Sequence, residues 1–280
     1  MFPRTLLLAL TLTVGALSAE LDRATYKSPY KVNFTFRDDE LSGDLVKGPR
    51  ADPKQQSTVP FRDWYGDAVK TRWRSWGPPS VHYAAPAGLA TKGVEWARQR
   101  VIAAGLRLAG YSYQHHHIPD WEPPADWPRS ATQKTPPEKG LDCSNFTTFA
   151  YNLALGIRPN SDVQDQAALT EVPGPGPNRT TPVQRIEVPA RYEDYERTLR
   201  TGDLLFVKNK AGEVSHVVLW VGKIGHSRDG TPLILDSTGT GAKDSEGQEI
   251  PDGIQLRPFK RGSWYAGSAS HVLRILRDGK

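Results

Sequence analysis

Cys143 is the single cysteine of this 280-residue chain, and no other residue constrains the fold as strongly. One cysteine cannot form an intrachain disulfide, and it cannot supply the ligands of a cysteine-rich structural zinc site. The folded state must therefore depend on a hydrophobic core and on hydrogen bonds. The chain is long enough for one large domain with an extension.

The first 19 residues are typical of a secretory signal. Arg4 supplies a positive charge, the apolar stretch 6–17 follows, and the small residues Ser18 and Ala19 offer a cleavage site. This stretch of 12 residues is too short to span a bilayer, although an uncleaved anchor is the alternative. No later run of 18 apolar residues occurs, so we expect a secreted protein without stable membrane insertion. Exported proteins often use cysteines in disulfides, so a lone cysteine needs another explanation.

Charge and motifs exclude several classes of protein. The chain has 36 basic and 31 acidic residues, and this net charge of +5 is evenly spread along it. Such a balance does not favour nucleic-acid binding, although it suits an anionic polymer surface. The sequence also lacks a dinucleotide-binding or phosphate-binding glycine pattern and a His-Glu-x-x-His zinc helix.

The pattern of apolar residues predicts an α+β fold. Residues 20–90 are polar and rich in proline, and we interpret them as an N-terminal extension of unknown role. Alternation at 30–36 predicts one strand there, and Trp64, Trp73 and Trp76 indicate packing onto a larger body.

Residues 91–280 form the predicted main domain. Its expected helices are 91–109, capped by Thr91, and 142–155, capped by Asp142 and ended by Gly156. Its expected strands are 203–207, 215–221, 233–236, 254–256 and 272–276, after an irregular connection at 172–182. Helices followed by strands predict N-terminal helices packed on an antiparallel sheet of five to six strands.

Cys143 is placed for nucleophilic chemistry. It is the first residue of the second predicted helix, where the partial positive charge of the helix end favours thiolate over thiol. A thiolate is the nucleophile of cysteine hydrolases, and free backbone N–H groups nearby can bind an oxyanion. The alternative is a small buried core cysteine. At this position, however, the sulfur would point toward the N-terminal end of the helix and not toward the side that carries Phe146 and Phe149.

Two later residues can complete such a site. His216 lies near the start of the most apolar predicted strand, and Asp236 ends the next one. If these strands are neighbours, the carboxylate can reach the far ring nitrogen of His216 and fix its tautomer. Taken singly, His216 could be a satisfied core histidine and Asp236 a residue that starts a turn.

Four segments carry a recognisable pattern, at 142–146, 157–164, 202–206 and 215–217. In this order they resemble the NlpC family of bacterial cell-wall cysteine peptidases. The segment Asp-Cys-Ser-Asn-Phe at 142–146 is similar to the family's Asp-Cys-Ser-Gly-Phe/Leu motif. The segment Gly-Asp-Leu-Leu-Phe at 202–206, with Ser-His-Val at 215–217, resembles two further blocks, and 157–164 resembles the family's Leu-Pro-Arg-x-Ser-x-x-Gln. The resemblance covers about residues 91–276 in the family's order.

The resemblance implies a papain-like fold and hydrolysis of peptidoglycan stem peptides or muropeptides. The usual bond is γ-D-glutamyl to diamino acid, and no metal or other cofactor is used. Cys143 would be the nucleophile, His216 the general base and acid, and Asp236 the third member of the triad. In members that trim free muropeptides, residues at the positions of Tyr113, Asp142 and Ser144 hold the substrate's free amine. The resemblance also implies a location in the periplasm or cell envelope.

The chain departs from the family pattern at several positions. Asp236 stands where histidine is more common, and Asn145 stands where glycine is usual. The glycines upstream of the cysteine are replaced by a histidine run at 115–117. In an extended stretch, adjacent side chains point in opposite directions, so three consecutive histidines rarely bind one metal ion. A related amidase or acyltransferase on the same fold, and an inactive wall-binding protein, are the alternatives to a peptidase.

Overall fold

The computed structural model describes residues 28–48, 50–74, 77–115, 117–118, 140–176 and 178–278. The predicted signal at 1–19, Trp76 and His116 lie outside these residues. The helices are α1 (Asp38–Val46), α2 (Asp67–Trp73), α3 (Val94–Leu106), α4 (Cys143–Leu155), α5 (Val163–Ala167), α6 (Tyr195–Thr198) and α7 (Trp264–Gly267). The strands are β1 (Glu171–Pro173), β2 (Thr180–Pro182), β3 (Gln184–Glu187), β4 (Leu204–Lys208), β5 (Val214–Trp220), β6 (Leu233–Thr238), β7 (Ala242–Lys243), β8 (Glu249–Ile250), β9 (Gly253–Pro258) and β10 (Ala269–Arg274).

One six-stranded antiparallel sheet organises the described residues, in the order β3-β10-β4-β5-β6-β9. Helices α3 and α4 pack on one face, where Val217 and Leu219 of β5 join the same core cluster as both helices. The alternating residues Val218 and Trp220 face the opposite side and pack in a second cluster with Phe259. Because both faces are covered, β5 is apolar along most of its length. The α+β prediction is confirmed, with a sheet at the upper end of the expected strand number.

The start and end of α4 follow directly from the sequence. The Asp142 side chain accepts a hydrogen bond from the Asn145 backbone N–H at 2.9 Å, and Gly156 ends the helix in the left-handed conformation with φ of 69°. Every residue of α4 is buried, so the helix is held by tertiary packing as well as by its cap.

The predicted start of α3 is wrong by three residues. Thr91 Oγ1 instead donates to Gly88 O in the preceding turn, and the helix begins after Gly93.

The N-terminal segment shares a core with the helices. Leu41, Leu45 and Trp64 are buried in the cluster that contains α3 and α4, so the packing expected of Trp64 is present. The predicted strand at 30–36 is wrong. Alternate side chains of this segment do pack on the core. Its Asn33 N–H, however, donates to Ile224 O, which lies in a turn, so this contact does not continue as the regular hydrogen-bond pattern of paired strands.

Short strands occupy the connection that was predicted to be irregular. Strands β1 and β2 pair as a small antiparallel sheet, with Val172 opposite Thr181. Strand β3 then joins the edge of the main sheet through β10. None of the helices in the described ranges is long and apolar enough to cross a membrane.

Candidate active site

Neighbouring strands bring His216 and Asp236 together at one end of the main sheet. Strands β5 and β6 pair with Leu219 opposite Leu235, and this places His216 Nε2 2.7 Å from Asp236 Oδ1. Both side chains are buried, and Asp236 is 0% exposed. The carboxylate can therefore fix the ring and tautomer of His216, as the strand pattern predicts.

Asp236 is surrounded by groups that favour its negative charge. The Tyr265 hydroxyl donates a hydrogen bond to Oδ2 at 2.5 Å, and Arg257 Nε lies 3.6 Å from the same oxygen. Burial alone would raise the pKa of Asp236, but His216, Arg257 and Tyr265 together lower it below its ordinary value. The site thus holds a buried carboxylate in its ionised form.

His216 connects this carboxylate to Cys143. Helix α4 packs against β5 and β6, and its first residue, Cys143, lies close enough to His216 to contribute to the raised pKa of the ring. Since Nε2 of His216 is bound to Asp236, Nδ1 is the ring nitrogen left for the sulfur. Burial lowers the pKa of His216, but Asp236 and Cys143 outweigh it and raise this pKa to about 10. At neutral pH the ring is therefore an imidazolium, the partner that a nucleophilic thiolate requires.

Backbone contacts hold the cysteine against the sheet. Ser237 Oγ on β6 donates to Leu141 O at 2.6 Å, just before the α4 cap. Gly140 pairs with Ser112, and a Cβ at Gly140 would lie 1.8 Å from Ser112 O, so only glycine fits there without a shift. These contacts fix the start of α4 relative to the strand that carries Asp236.

The N-terminal end of α4 has backbone hydrogen-bond donors next to Cys143. The Asn145 N–H is used by the Asp142 cap, and the Phe146 N–H begins the helical pattern. In the described part of the chain, the N–H groups of Cys143 and Ser144 make no hydrogen bond. Two backbone donors at this helix N-terminus are therefore available to bind an oxyanion.

The three predicted amine-binding residues lie around the same helix end. Tyr113 is half-buried, and burial, with the nearby Cys143, Asp142 and Asp236, raises its pKa. The Ser144 hydroxyl donates to Ser161 O at 2.6 Å.

Asp142 has both carboxylate oxygens engaged inside the protein. Oδ1 accepts from Asn145 Nδ2 at 2.9 Å as well as from the Asn145 backbone, and Oδ2 lies 2.8 Å from His115 Nδ1. Two departures from the family pattern, Asn145 and His115, therefore both act on Asp142. The amine-binding role of Asp142 stays a prediction, since an incoming amine would have to compete with these partners.

The histidine run separates into different environments. His115 is half-exposed and bound to Asp142, whereas His117 is partly buried and its pKa falls to about 4, mainly through burial. Within the described ranges, no group of three His, Cys, Asp or Glu side chains could hold a metal ion. His116 lies outside these ranges.

Residues of β9 and of the segment after it complete the site, and the sequence contains little indication of them. The Trp264 ring is 44% exposed and its centroid lies 5.3 Å from that of His216, so it forms part of the rim. Tyr265 and Arg257 contact Asp236 from elements far along the chain. The one available signal is the pair of aromatic residues at 264–265 in a polar stretch.

Comparisons with known proteins give one matching family model and a similar solved structure. The family model described as the NlpC/P60 family matches residues 129–244, a range that includes Cys143, His216 and Asp236. Among solved structures, the chain is similar to an NlpC/P60 family protein from Bacillus cereus ATCC 10987, with 18% sequence identity and a TM-score of 0.38. That match covers 69% of this chain, and this chain spans only 41% of that protein. No curated protein matches the chain.

Proposed function

Because residues 129–244 belong to the NlpC/P60 family, whose members are in general cell-wall cysteine peptidases, we propose that the chain hydrolyses stem peptides of peptidoglycan. The observation that carries the proposal is the buried connection from Cys143 through His216 to Asp236. The proposed bond is the one between γ-D-glutamate and the diamino acid. The assembled group supports an active enzyme over an inactive wall-binding protein.

The proposed reaction begins with attack of the Cys143 thiolate on the scissile carbonyl carbon. The C=O electron pair moves to the oxygen, where the N–H groups of Cys143 and Ser144 can bind it. The His216 imidazolium then gives its proton to the leaving nitrogen as the C–N bond breaks. A thioester to Cys143 and a free amine are the products of this half-reaction.

Water completes the cycle. Neutral His216 takes a proton from a water molecule, whose oxygen attacks the thioester carbon, and the acid product leaves as the C–S bond breaks. The Cys143 thiolate and the His216 imidazolium are restored. Asp236 holds the ring in place and stabilises its charge through both half-reactions.

The proposal is tested with purified peptidoglycan, the wild-type chain and the Cys143→Ala variant. We expect new amines only with the wild type, and equal release by both proteins would eliminate the cysteine mechanism. Mass spectrometry of the products identifies the bond: a split inside the stem supports a peptidase, whereas a split at the lactyl bond indicates an amidase. An acyl ester product would indicate an acyltransferase.

Export is part of the proposal and has its own test. If residues 1–19 are a cleaved signal, the protein recovered from the cell envelope should begin at Ala19 or Glu20. N-terminal sequencing measures this, and an intact Met1 on the exported protein would contradict it.

A further inference from the structure

Arg257 is a buried arginine beside the site, and the proposed reaction gives it no role. Its side chain is 1% exposed, and its Nε lies 3.6 Å from Oδ2 of Asp236, whose side chain is 0% exposed. Among the described residues, Asp236 is the carboxylate that pairs with it. Because a buried charge is unfavourable unless it is paired, each of these two groups depends on the other.

The register of the sheet brings the two side chains together. Strands β6 and β9 pair with Asp236 opposite Gln255 and with Ile234 opposite Arg257. Opposite residues point to the same face, and so do residues two apart on one strand, so Asp236 and Arg257 are diagonal neighbours on one face. A shift of β9 by one residue would turn Arg257 to the other face, so the contact is specified by the strand pairing.

Backbone carbonyls hold the far end of the guanidinium. Nη2 of Arg257 donates to Pro251 O at 2.6 Å and to Gly253 O at 3.1 Å, in the turn between β8 and β9. This turn is itself restrained, since Gly253 has a φ of 82° and a Cβ there would lie 2.0 Å from Tyr111 O. The guanidinium is therefore fixed at Nη2 while Nε faces Asp236.

The two oxygens of Asp236 face different partners. Oδ1 is bound to His216 on β5, whereas Oδ2 faces Tyr265 on α7 and Arg257 on β9. Tyr113 also lies close enough for Asp236 to raise its pKa, and it stays neutral. Arg257 lowers the pKa of Asp236. Contacts that hold Oδ2 leave Oδ1 directed at the ring of His216.

Arg257 also balances the charge of the site. When Cys143 is a thiolate and His216 an imidazolium, the buried group with Asp236 and Arg257 has two negative and two positive charges. Without Arg257, two anions would share one imidazolium in a place from which water is largely excluded. An uncompensated charge is unfavourable there, so Arg257 supports the ionised state.

We propose that Arg257 is a positioning residue for the reaction of Cys143, which orients Asp236 toward His216 and balances the carboxylate charge. This inference rests on the proposed function and adds to it a residue that acts through Asp236 without touching the substrate.

The test follows alkylation of Cys143 by iodoacetamide from pH 4 to pH 9, without peptidoglycan. Loss of a cation raises the pKa of the acids around it, so Arg257→Gln should displace the acidic limb of the labelling profile upward by about 0.5–1 pH unit. On that limb the rate should fall about 3- to 10-fold. Arg257→Lys keeps the charge and should recover most of this change.

The matched control is Arg274→Gln, which removes another buried arginine from an ion pair, here with Asp203 at 2.7 Å. Arg274 lies on β10 toward the end of the sheet away from His216, because Leu273 is opposite Leu204 whereas His216 is opposite Val207. This variant should leave the acidic limb in place, although it removes a buried charge as well.

A second comparison asks whether Arg257 acts through Asp236. Once Asp236→Asn has removed the carboxylate, adding Arg257→Gln should change the labelling rate by less than about twofold. An equal effect of Arg257→Gln with and without Asp236→Asn would overturn the inference, and so would an acidic limb that does not move in folded Arg257→Gln.

Circular dichroism decides the case in which Arg257→Gln does not fold. If the double variant folds where Arg257→Gln alone does not, the two charges balance each other as proposed, and if neither folds, Arg257 is structural and the inference is wrong. Labelling requires no substrate. A protein that labels as expected but releases no amine from peptidoglycan would therefore contradict the proposed function and leave the role of Arg257 supported.

Discussion

The charge on His216 depends on one buried carboxylate, so Asp236→Asn should abolish the activated state of Cys143. Asparagine retains the size of the side chain and a hydrogen-bond acceptor for the ring, and it removes the negative charge. His216 has a pKa of about 10 in place of the ordinary 6.5. That difference of about 3.5 corresponds to about 5 kcal/mol in favour of the imidazolium, at about 1.36 kcal/mol for each pKa unit.

Alkylation of the lone cysteine reports this charge without ambiguity, since iodoacetamide can label no other thiol in the chain. In the wild type we expect fast labelling across pH 6–8, because the imidazolium stabilises the thiolate. In Asp236→Asn the carboxylate that favours the imidazolium is absent, so we expect slower labelling, most clearly at the acidic end of this range. At pH 6.5 the expected decrease is about 10- to 100-fold.

The matched control is Asp229→Asn, an exposed carboxylate that does not contact the site. It should label like the wild type at every pH, and circular dichroism should show that all three proteins are folded. If Asp236→Asn is folded and keeps the wild-type pH profile, then Asp236 does not hold the charge of His216 and the proposed triad is wrong.

Four further outcomes follow from named contacts. Tyr265→Phe removes the hydrogen bond to Asp236 Oδ2, and we expect kcat to fall about 10-fold with the acidic limb of its pH profile displaced, whereas a purely structural loss would leave that limb in place. The raised pKa of His216 should stabilise the fold fully from pH 6.5 down to the acid range in which Asp236 is protonated, and this contribution should be lost as pH rises through about 10, which urea unfolding of the wild type and Asp236→Asn across pH 6–11 would measure. Asp44→Asn weakens the two contacts of Asp44 with buried Arg100 and should lower the free energy of unfolding by about 1–2 kcal/mol, whereas exposed Asp39→Asn should change it little. Gly140→Ala forces a Cβ against Ser112 O and should cost about 1–3 kcal/mol of stability and reduce the proposed peptidase activity, whereas Gly262→Ala, which meets no neighbour within 4 Å, should be close to neutral.

Local signals account for the parts of the structure that the sequence predicts well. The cap at Asp142 and the stop at Gly156 act within one turn of α4, so the predicted helix agrees with the structure to one residue. The strands with His216 and Asp236 are apolar and bounded by turn residues, and their adjacency follows from their order in the chain.

The residues that the sequence does not reveal act over long distances in the chain. Tyr265 meets Asp236 because β9 pairs with β6 and the chain then returns toward β10. Nothing in the local pattern at 30–36 distinguishes an extended segment lying on a core from a strand, since both place alternate side chains inward.

The fold also explains how a chain without disulfides can leave its one thiol free for chemistry. Helix α3 and its C-cap residue Arg107 supply three arginines that are each 1% exposed, and they bind backbone carbonyls of distant segments. Arg98 binds Leu276 O near the C-terminal end. Arg100 binds the carbonyls of Leu41 and Ala154, and Arg107 binds those of Arg50 and Ala51.

These charge-assisted bonds join the N-terminal segment, α4 and the end of the sheet to one helix, which is the task that disulfides perform in many exported proteins. A second cysteine in an oxidising compartment could capture the Cys143 thiolate in a disulfide and stop the reaction. Crosslinking by buried arginines avoids that competition. The buried arginines therefore hold distant segments together without a disulfide. Cys143 has no second cysteine to pair with and is available for the proposed reaction.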